Sequence, residues 1–256
     1  AAGGEYDDSQ VVPWDVVVKN KKFGRRLGFE TELFEDDQTG EIHRKSSELG
    51  ENMEVVKEIW FAGFLSGAAY SFGSTAVPAP TYLDPDPAGS TAVYVTSATN
   101  SRRANRPVSF GALGLTTFKE ARTALRKMRD SLNNRVAVRP DTLVVANNLE
   151  YDAAQLMNAG WYPEATDTST SARAVDHNPI RGMANVKVCG WLPDDAWYLG
   201  QAKSRSLVFQ RRTGLQVLQE NPNAGESFKL DKYIFRVRER WTMFWGDARY
   251  WYQGHN

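Results

Sequence analysis

The 256-residue chain balances 31 basic against 31 acidic side chains, so it carries no formal net charge, and 41% of its residues are hydrophobic. These values describe a globular chain long enough for one large or two modest domains with a substantial core, and they exclude a histone-like nucleic-acid coat or an acidic solvating tail. One cysteine, Cys189, excludes an internal disulfide or a thiolate metal cluster, and the longest apolar run, IWFAGFLSGAAY, falls far short of the roughly 20 residues that a membrane-spanning helix needs.

Residues 1–13 are polar and glycine-rich and end at Pro13; they read as an extended arm that needs a neighbour to be ordered. The opening AAGGEYDDS has no signal-peptide character and suggests a processed end, which a trimmed one explains equally well. From Trp14 charge and apolar residues alternate. Leu27, Phe29, Thr31 and Leu33 against Gly28, Glu30 and Glu32 predict a strand, and DDQTGE predicts a turn before Ile42, so residues 15–45 read as a two-stranded excursion charged on both faces. Such a hairpin is marginal alone and should lie on something outside the chain.

Leu49, Met53, Val56, Trp60 and Phe64 predict a helix of some 20 residues over 47–70, with Gly63 and Gly67 allowing close packing. Residues 71–114 are rich in Pro, Gly, Ser and Thr, and only TAVYVTS reads as a strand; a stretch like this usually serves an interface or a function. Arg102, Arg103 and Arg106 within it could touch phosphate, but a solvated or carboxylate-paired cluster is the simpler reading. Thr117 and Glu120 have the spacing of a capping box ahead of the stripe Phe118, Ala121, Leu125 and Met128, while Lys119, Arg122, Arg126, Lys127 and Arg129 form a basic opposite face.

Beyond it, VAVRPDTLVVA reads as a strand pair around Pro140, and a short helix runs from Asn147 or Asn148 to Gly160. Residues 161–182 form a polar loop, after which strands follow at NVKVCGWL, AWYLGQA, SLVFQRRT and LQVLQE. The chain closes on a long strand within Leu230–Tyr252. Tyr233, Phe235, Val237, Trp241, Met243 and Trp245 fall on one side and Arg236, Arg238, Arg240 and Thr242 on the other, with Glu239 interrupting the apolar row and Arg249 extending the arginine series.

Catalytic signatures are missing: there is no G-x-S-x-G elbow, Walker loop, G-x-G-x-x-G or H-E-x-x-H. His43, His177 and His255 are scattered, and Asp36/Asp37 and Asp194/Asp195 sit where Asp serves turns. The run Glu35, Asp37, Thr39, Gly40, Ile42 mimics a calcium loop, but Ser46 stands in its twelfth place, so a hairpin turn is the better reading. Neither enzyme activity nor a cofactor or metal is expected.

Three stretches, taken in order, carry a family resemblance: KKFGRRLGFETELFEDDQTGEIHRKSSELG before the long helix; LTTFKEARTALRKMRDSLNNRVAVRPDTLVVANNLEYDAAQLM, with Pro140, Leu143, Val144, Val145, Leu149 and Glu150 in its core; and WLPDDAWYLGQAKSRSLVFQRRTG before the last strand. Together they resemble tailed-phage major capsid proteins of the Hong Kong 97-type fold, particularly Mu-like major head subunits.

The resemblance implies an α+β capsid fold divided into an N-terminal arm (1–13), an extended β-hairpin loop over a neighbouring subunit (14–46) and a peripheral domain (47–140). That domain would hold a spine helix at 47–70, a loop-rich insertion at 71–114 and a helix at 117–130. An axial domain (141–222) and a return to the peripheral domain (223–256) complete it. It implies contacts between subunits through Lys21, Lys22, Arg25, Arg26, Glu30, Glu32, Glu35, Asp36 and Asp37, and a loop at the capsomer centre carrying Trp161, Asp167, Arg173, His177 and Arg181. Some relatives cross-link a loop lysine to a neighbour's asparagine; Lys19, Lys21 and Lys22 are candidates, with no asparagine assignable. The implied function is assembly of pentamers and hexamers into an icosahedral virion shell around double-stranded DNA. Assembly would take place in the host cytoplasm with scaffold and maturation protease, and the shell would meet a portal, decoration or cement protein, and DNA on its inner face, but no membrane. An encapsulin-type nanocompartment shell is the nearest alternative, and a soluble hydrolase or ligand-binding β-rich domain a remoter one.

Overall fold

The computed structural model describes residues 17–72, 75–80, 92–96, 102–130, 133–163, 175–220 and 225–255. In chain order the elements are β1 (Lys21–Glu30), α1 (Thr31–Glu35), α2 (Glu41–Ser66), β2 (Tyr70–Phe72), β3 (Thr75–Val77), α3 (Leu115–Arg126), β4 (Thr142–Val145), α4 (Glu150–Asn158), β5 (Trp161–Pro163), β6 (Val175–His177), β7 (Asn185–Val188), β8 (Trp197–Gly200), β9 (Leu207–Gln219), α5 (Gly225–Leu230), β10 (Lys232–Trp245) and β11 (Trp251–His255).

Two sheets organise them. β1, β10 and β9 form an antiparallel sheet with β10 in the middle, and β11, β8, β4 and β7 form a second in which only β4 and β7 run parallel. Side chains alternate across a strand, so β4 and β8 serve two cores. Val144 and Tyr198 face a cluster that holds Trp60 and Leu65 of α2 with Trp241 and Trp245 of β10. Leu143, Val145, Trp197 and Leu199 face a cluster built from Phe118 and Leu125 of α3 and Leu156 of α4. All four residues of each of these strands are buried, as expected for strands covered on both faces.

α2 has 26 residues and is therefore about 39 Å long. Gly67 ends it in the left-handed region at φ 72°, and a Cβ there would come within 2.7 Å of the Tyr94 ring. At Gly63 a Cβ would meet Val77 at 2.9 Å, so the small residue allows β3 to lie against the helix. The helix begins six residues earlier than its apolar stripe suggests, and the reason is Asp37. Its carboxylate accepts hydrogen bonds from the backbone N–H groups of Thr39, Gly40, Glu41 and Ile42 and from the Thr39 hydroxyl. These are donors that a helix start leaves without partners. The Asp37 stretch is thus a helix start, and the second strand expected after it is absent. Residues 41–46 are helical, and β1 is a single strand in register with the chain's own β10, from Lys21 opposite Trp241 to Glu30 opposite Lys232.

Other local expectations shift for similar reasons. α3 starts at Leu115, so Thr117 is not the first capping residue; its Oγ1 reaches back to accept the Gly114 N–H. Only the second half of the segment around Pro140 forms a strand, and the two strands expected at SLVFQRRT and LQVLQE are one 13-residue strand, β9. Val93, Tyr94 and Val95 are buried but belong to no strand. The closing strand stops at Trp245: a Cβ at Gly246 would run into the Arg205 carbonyl oxygen, and Asp247 pairs with Arg249 at 2.7 Å. Trp251 and Tyr252 therefore lie on β11 in the other sheet, and Arg249 is not part of the arginine ladder.

Candidate assembly surfaces

β10 presents one apolar face to α2, where Phe235, Val237, Trp241, Met243 and Trp245 are buried. Phe23 of β1 stacks on Trp241 at 4.1 Å, the Trp60 ring stands edge-on to both, and the Lys21 ammonium lies 4.9 Å from the Trp60 ring centre. Glu239, the interruption of the apolar row, is fully buried and lies 3.0 Å from the Lys57 Nζ of α2, which also pairs with Glu54 at 2.7 Å. The sequence therefore uses a buried ion pair where α2 crosses β10, next to a register shift between β10 and β9. The signal was the lone carboxylate in an apolar row, 239 − 57 = 182 residues from its lysine in the sequence.

The charged residues expected to meet a neighbour are distributed over three settings. Lys22, Arg26 and Glu30 lie on the face of β1 turned away from α2, in register with Arg240, Arg236 and Lys232. Lys21 and Arg25 are exposed on the other face, and Glu32, Glu35 and Asp36 are exposed on α1 and just after it. α1 itself is held to the start of β10: Thr31 Oγ1 donates to Asp231 Oδ1 at 2.8 Å, and Phe34 stacks on Tyr233 at 4.2 Å. Asp37 is occupied at the helix start. The backbone donors there, that of Ile42 foremost, hold its carboxyl down at about 2.

Of the residues expected in the capsomer-centre loop, Trp161 of β5 pairs with His177 of β6, their rings 6.3 Å apart, and Arg181 is exposed close by, with its guanidinium beside Gly160. Trp161 is 64% exposed, an unusual position for a tryptophan. Asp167 and Arg173 lie outside the described residues, as does the N-terminal arm. Among the three arginines of the middle stretch, Arg103 is buried and donates to the backbone carbonyls of Val93 and Ala92, and Arg106 stacks over Phe110 at 4.5 Å, so neither is a solvated phosphate contact.

The sequence reading missed β9 as a surface. On its outer side β9 pairs with no strand among the described residues, and Phe209, Leu215, Val217 and Leu218 are all exposed, Val217 by 53%. The available clue was that Gly214 alone separates SLVFQRRT from LQVLQE, too little for a turn between two strands. Beside β9 opens a cleft of about 650 Å³ whose walls include Glu58 and Phe61 of α2, Val188 at the end of β7 and Trp191 just after it, Phe209 and Met243. Exposed apolar side chains on an unpaired strand mark an association surface in a native protein. Among the described residues no group of acidic, histidine or cysteine side chains could hold a metal ion, and no helix is long and apolar enough to cross a membrane.

A family profile described as phage capsid protein matches residues 15–254, nearly the whole chain. The chain belongs to the phage capsid protein family. The solved structures agree in fold. A chain of the capsid of the native GTA particle superposes with a TM-score of 0.50 at 14% identity, covering 98% of this chain and 80% of that one. A chain from Mycobacterium phage Patience gives 0.53 at 10% identity (99% and 79% covered), and one from Microbacterium phage Oxtober96 gives 0.51 at 14% (91% and 71%). A comparison with curated proteins finds no match. The fold of this capsid protein is the Hong Kong 97-type, α+β, with the long helix α2 packed on the β1-β10-β9 sheet. Its role is structural: it is a major capsid protein of a phage shell.

Proposed function

We propose that this capsid protein forms the pentamers and hexamers of an icosahedral head around double-stranded DNA, without catalysing a reaction, and that residues 14–46 and the β5–β6 hairpin make its contacts between subunits and around the capsomer centre. The observation that carries this reading is the three-stranded sheet, both of whose outer strands, β1 and β9, lack a further strand among the described residues and carry exposed charged or apolar side chains. Edges of that length are covered in stable assemblies. Heterologous contacts between one edge and a neighbour, closing on rotation axes, build rings and then a finite shell. Such subunits bury well over ~2,000 Å² in obligate contacts.

On this reading residues 1–13 are the arm, 47–140 with 223–256 the peripheral domain and 141–222 the axial domain. Assembly takes place in the host cytoplasm with a scaffold and a maturation protease, and the shell meets a portal, a decoration or cement protein, and DNA weakly on its inner face. Negative-stain electron microscopy of the purified protein with sedimentation beside it tests the proposal. Closed particles or capsomer rings are expected, and nucleic acid rather than a cargo enzyme inside particles made in the host separates a phage head from an encapsulin-type shell. A monomer of 28.7 kDa across salt and concentration, with scaffold supplied, would overturn it.

A further inference from the structure

The face of the β1-β10-β9 sheet turned away from α2 is a concentrated patch of positive charge. The register places Lys22 opposite Arg240 and Arg26 opposite Arg236, with Arg238 opposite Gly24 between them, and on the other side β9 contributes only Thr213, Gln216 and Leu218 to the same rows. Like charges directly opposite each other in an antiparallel pair repel. Lys22, Arg26, Arg236 and Arg240 are exposed, Arg238 donates to Gln216 Oε1 at 2.8 Å, and Glu220 stands at one end beside Arg26 and Arg236. Among the described residues no carboxylate forms an ion pair with Lys22, Arg236, Arg238 or Arg240. Lys22, Arg26, Lys232, Arg236, Arg238 and Arg240 stand on this face against Glu30 and Glu220, so the face is net positive in a chain with no net charge.

The sixteen residues ahead of Val17, AAGGEYDDSQVVPWDV, hold four carboxylates, Glu5, Asp7, Asp8 and Asp15, and no lysine, arginine or histidine. They join the described chain just before Lys21, which lies opposite Trp241 at the Arg240 end of the patch. Asp8 is 21 − 8 = 13 residues from Lys21, a reach of about 43 Å in extended chain. Arg236 is 241 − 236 = 5 strand positions from Trp241, only about 17 Å away. Along the strand Arg236, Arg238 and Arg240 repeat every ~7 Å, the repeat at which Glu5 and Asp7 recur along an extended peptide.

We propose that the acidic segment 1–16 docks on the outer face of this sheet in its own chain, with Glu5, Asp7 and Asp8 over Lys22, Arg236, Arg238 and Arg240. The tether supplies a high effective concentration, so weak charge pairs suffice to seat it. Occupancy falls as salt shortens the screening length. The docking concerns the free subunit, since Lys22 and Arg26 also lie in the segment 14–46 proposed above to contact a neighbour.

Zero-length carbodiimide cross-linking of the full chain, read by peptide mass spectrometry, tests the proposal because Lys22 stands opposite Arg240 within the patch. The expected products join Glu5, Asp7 or Asp8 to Lys22, with a yield several-fold lower at 0.5 M than at 0.05 M salt. Arg236→Gln with Arg240→Gln leaves both reacting groups in place and should lower the yield several-fold, while Arg236→Lys with Arg240→Lys should keep the total yield near wild type, with some links from the same carboxylates now at positions 236 and 240; circular dichroism of each variant checks the fold. Mixing ¹⁵N-labelled with unlabelled protein identifies the chain. Links that join labelled to unlabelled peptides would overturn docking in the same chain, and yields indifferent to salt and to both arginine variants would overturn the docking itself. So would a 20-base-pair DNA duplex that binds the untreated protein, suppresses the links and loses affinity in the glutamine variant together, since the face would then be a nucleic-acid surface.

Discussion

Asp37 is an exposed carboxylate whose pKa is held at about 2 by the backbone N–H groups it caps, so it contributes stability that is fully present above the ordinary carboxylate value near 3.8 and is lost as pH falls toward 2. Asp37→Ala should lower the thermal midpoint by a few degrees at pH 7, and the difference from wild type should shrink as pH falls from 4 through 2; melts followed by circular dichroism measure both. Glu239 and Lys57 call for another logic. Removing Lys57 alone, as in Lys57→Met, leaves the buried Glu239 without its cation and should cost about 3–5 kcal/mol, whereas Lys57→Met with Glu239→Leu should be near neutral or stabilising. Urea unfolding of the two variants distinguishes the roles: an equal loss in both would mean that the pair itself, not the abandoned charge, holds α2 on β10.

At the scale of elements, α2 is bounded by residues with different jobs. Its start depends on Asp37 and its end on Gly67, whose left-handed backbone and contact with the Tyr94 ring leave no space for a side chain. Gly67→Ala should cost at least the ~1–2 kcal/mol of the left-handed conformation, with the crowded ring adding to it. A thermal midpoint unchanged by this substitution would mean that the helix end repacks. The turn at Gly246 and Asp247 is as decisive, because it hands the chain from β10 to β11 and so joins the two sheets through Trp245 and Trp251, both in the core shared with α2.

For the whole molecule, the uncovered strands separate folding from assembly. Charge reversal at Arg25 and Arg26, both exposed on β1, should impair shells while leaving the subunit's melting curve nearly unchanged, and Val217→Lys on β9 should do the same. Sedimentation against circular dichroism is the measurement. Shells formed normally by the β1 variant would remove β1 from the contacts between subunits, and those formed by the β9 variant would remove β9.

How much was legible depends on how far each signal extends along the chain. The alternation in β10, the apolar stripe of α2 and the order of the three family stretches are local and periodic, so the sequence by itself determined the α+β class, the long helix, the long strand and the capsid family. Strand partners are not local. Because β1 carries charge on both faces, nothing in its own residues distinguished a projecting hairpin from an edge strand, and the tertiary structure decided it through the register with β10 and the packing of Phe23 on Trp241 and Trp60. Glu239 and Lys57 were likewise visible as a flaw in one row and a charge on one helix, and only the crossing of α2 over β10 brought them within 3.0 Å. Side-chain periodicity fixes which face of an element is buried, but which element buries it depends on contacts far apart in the chain.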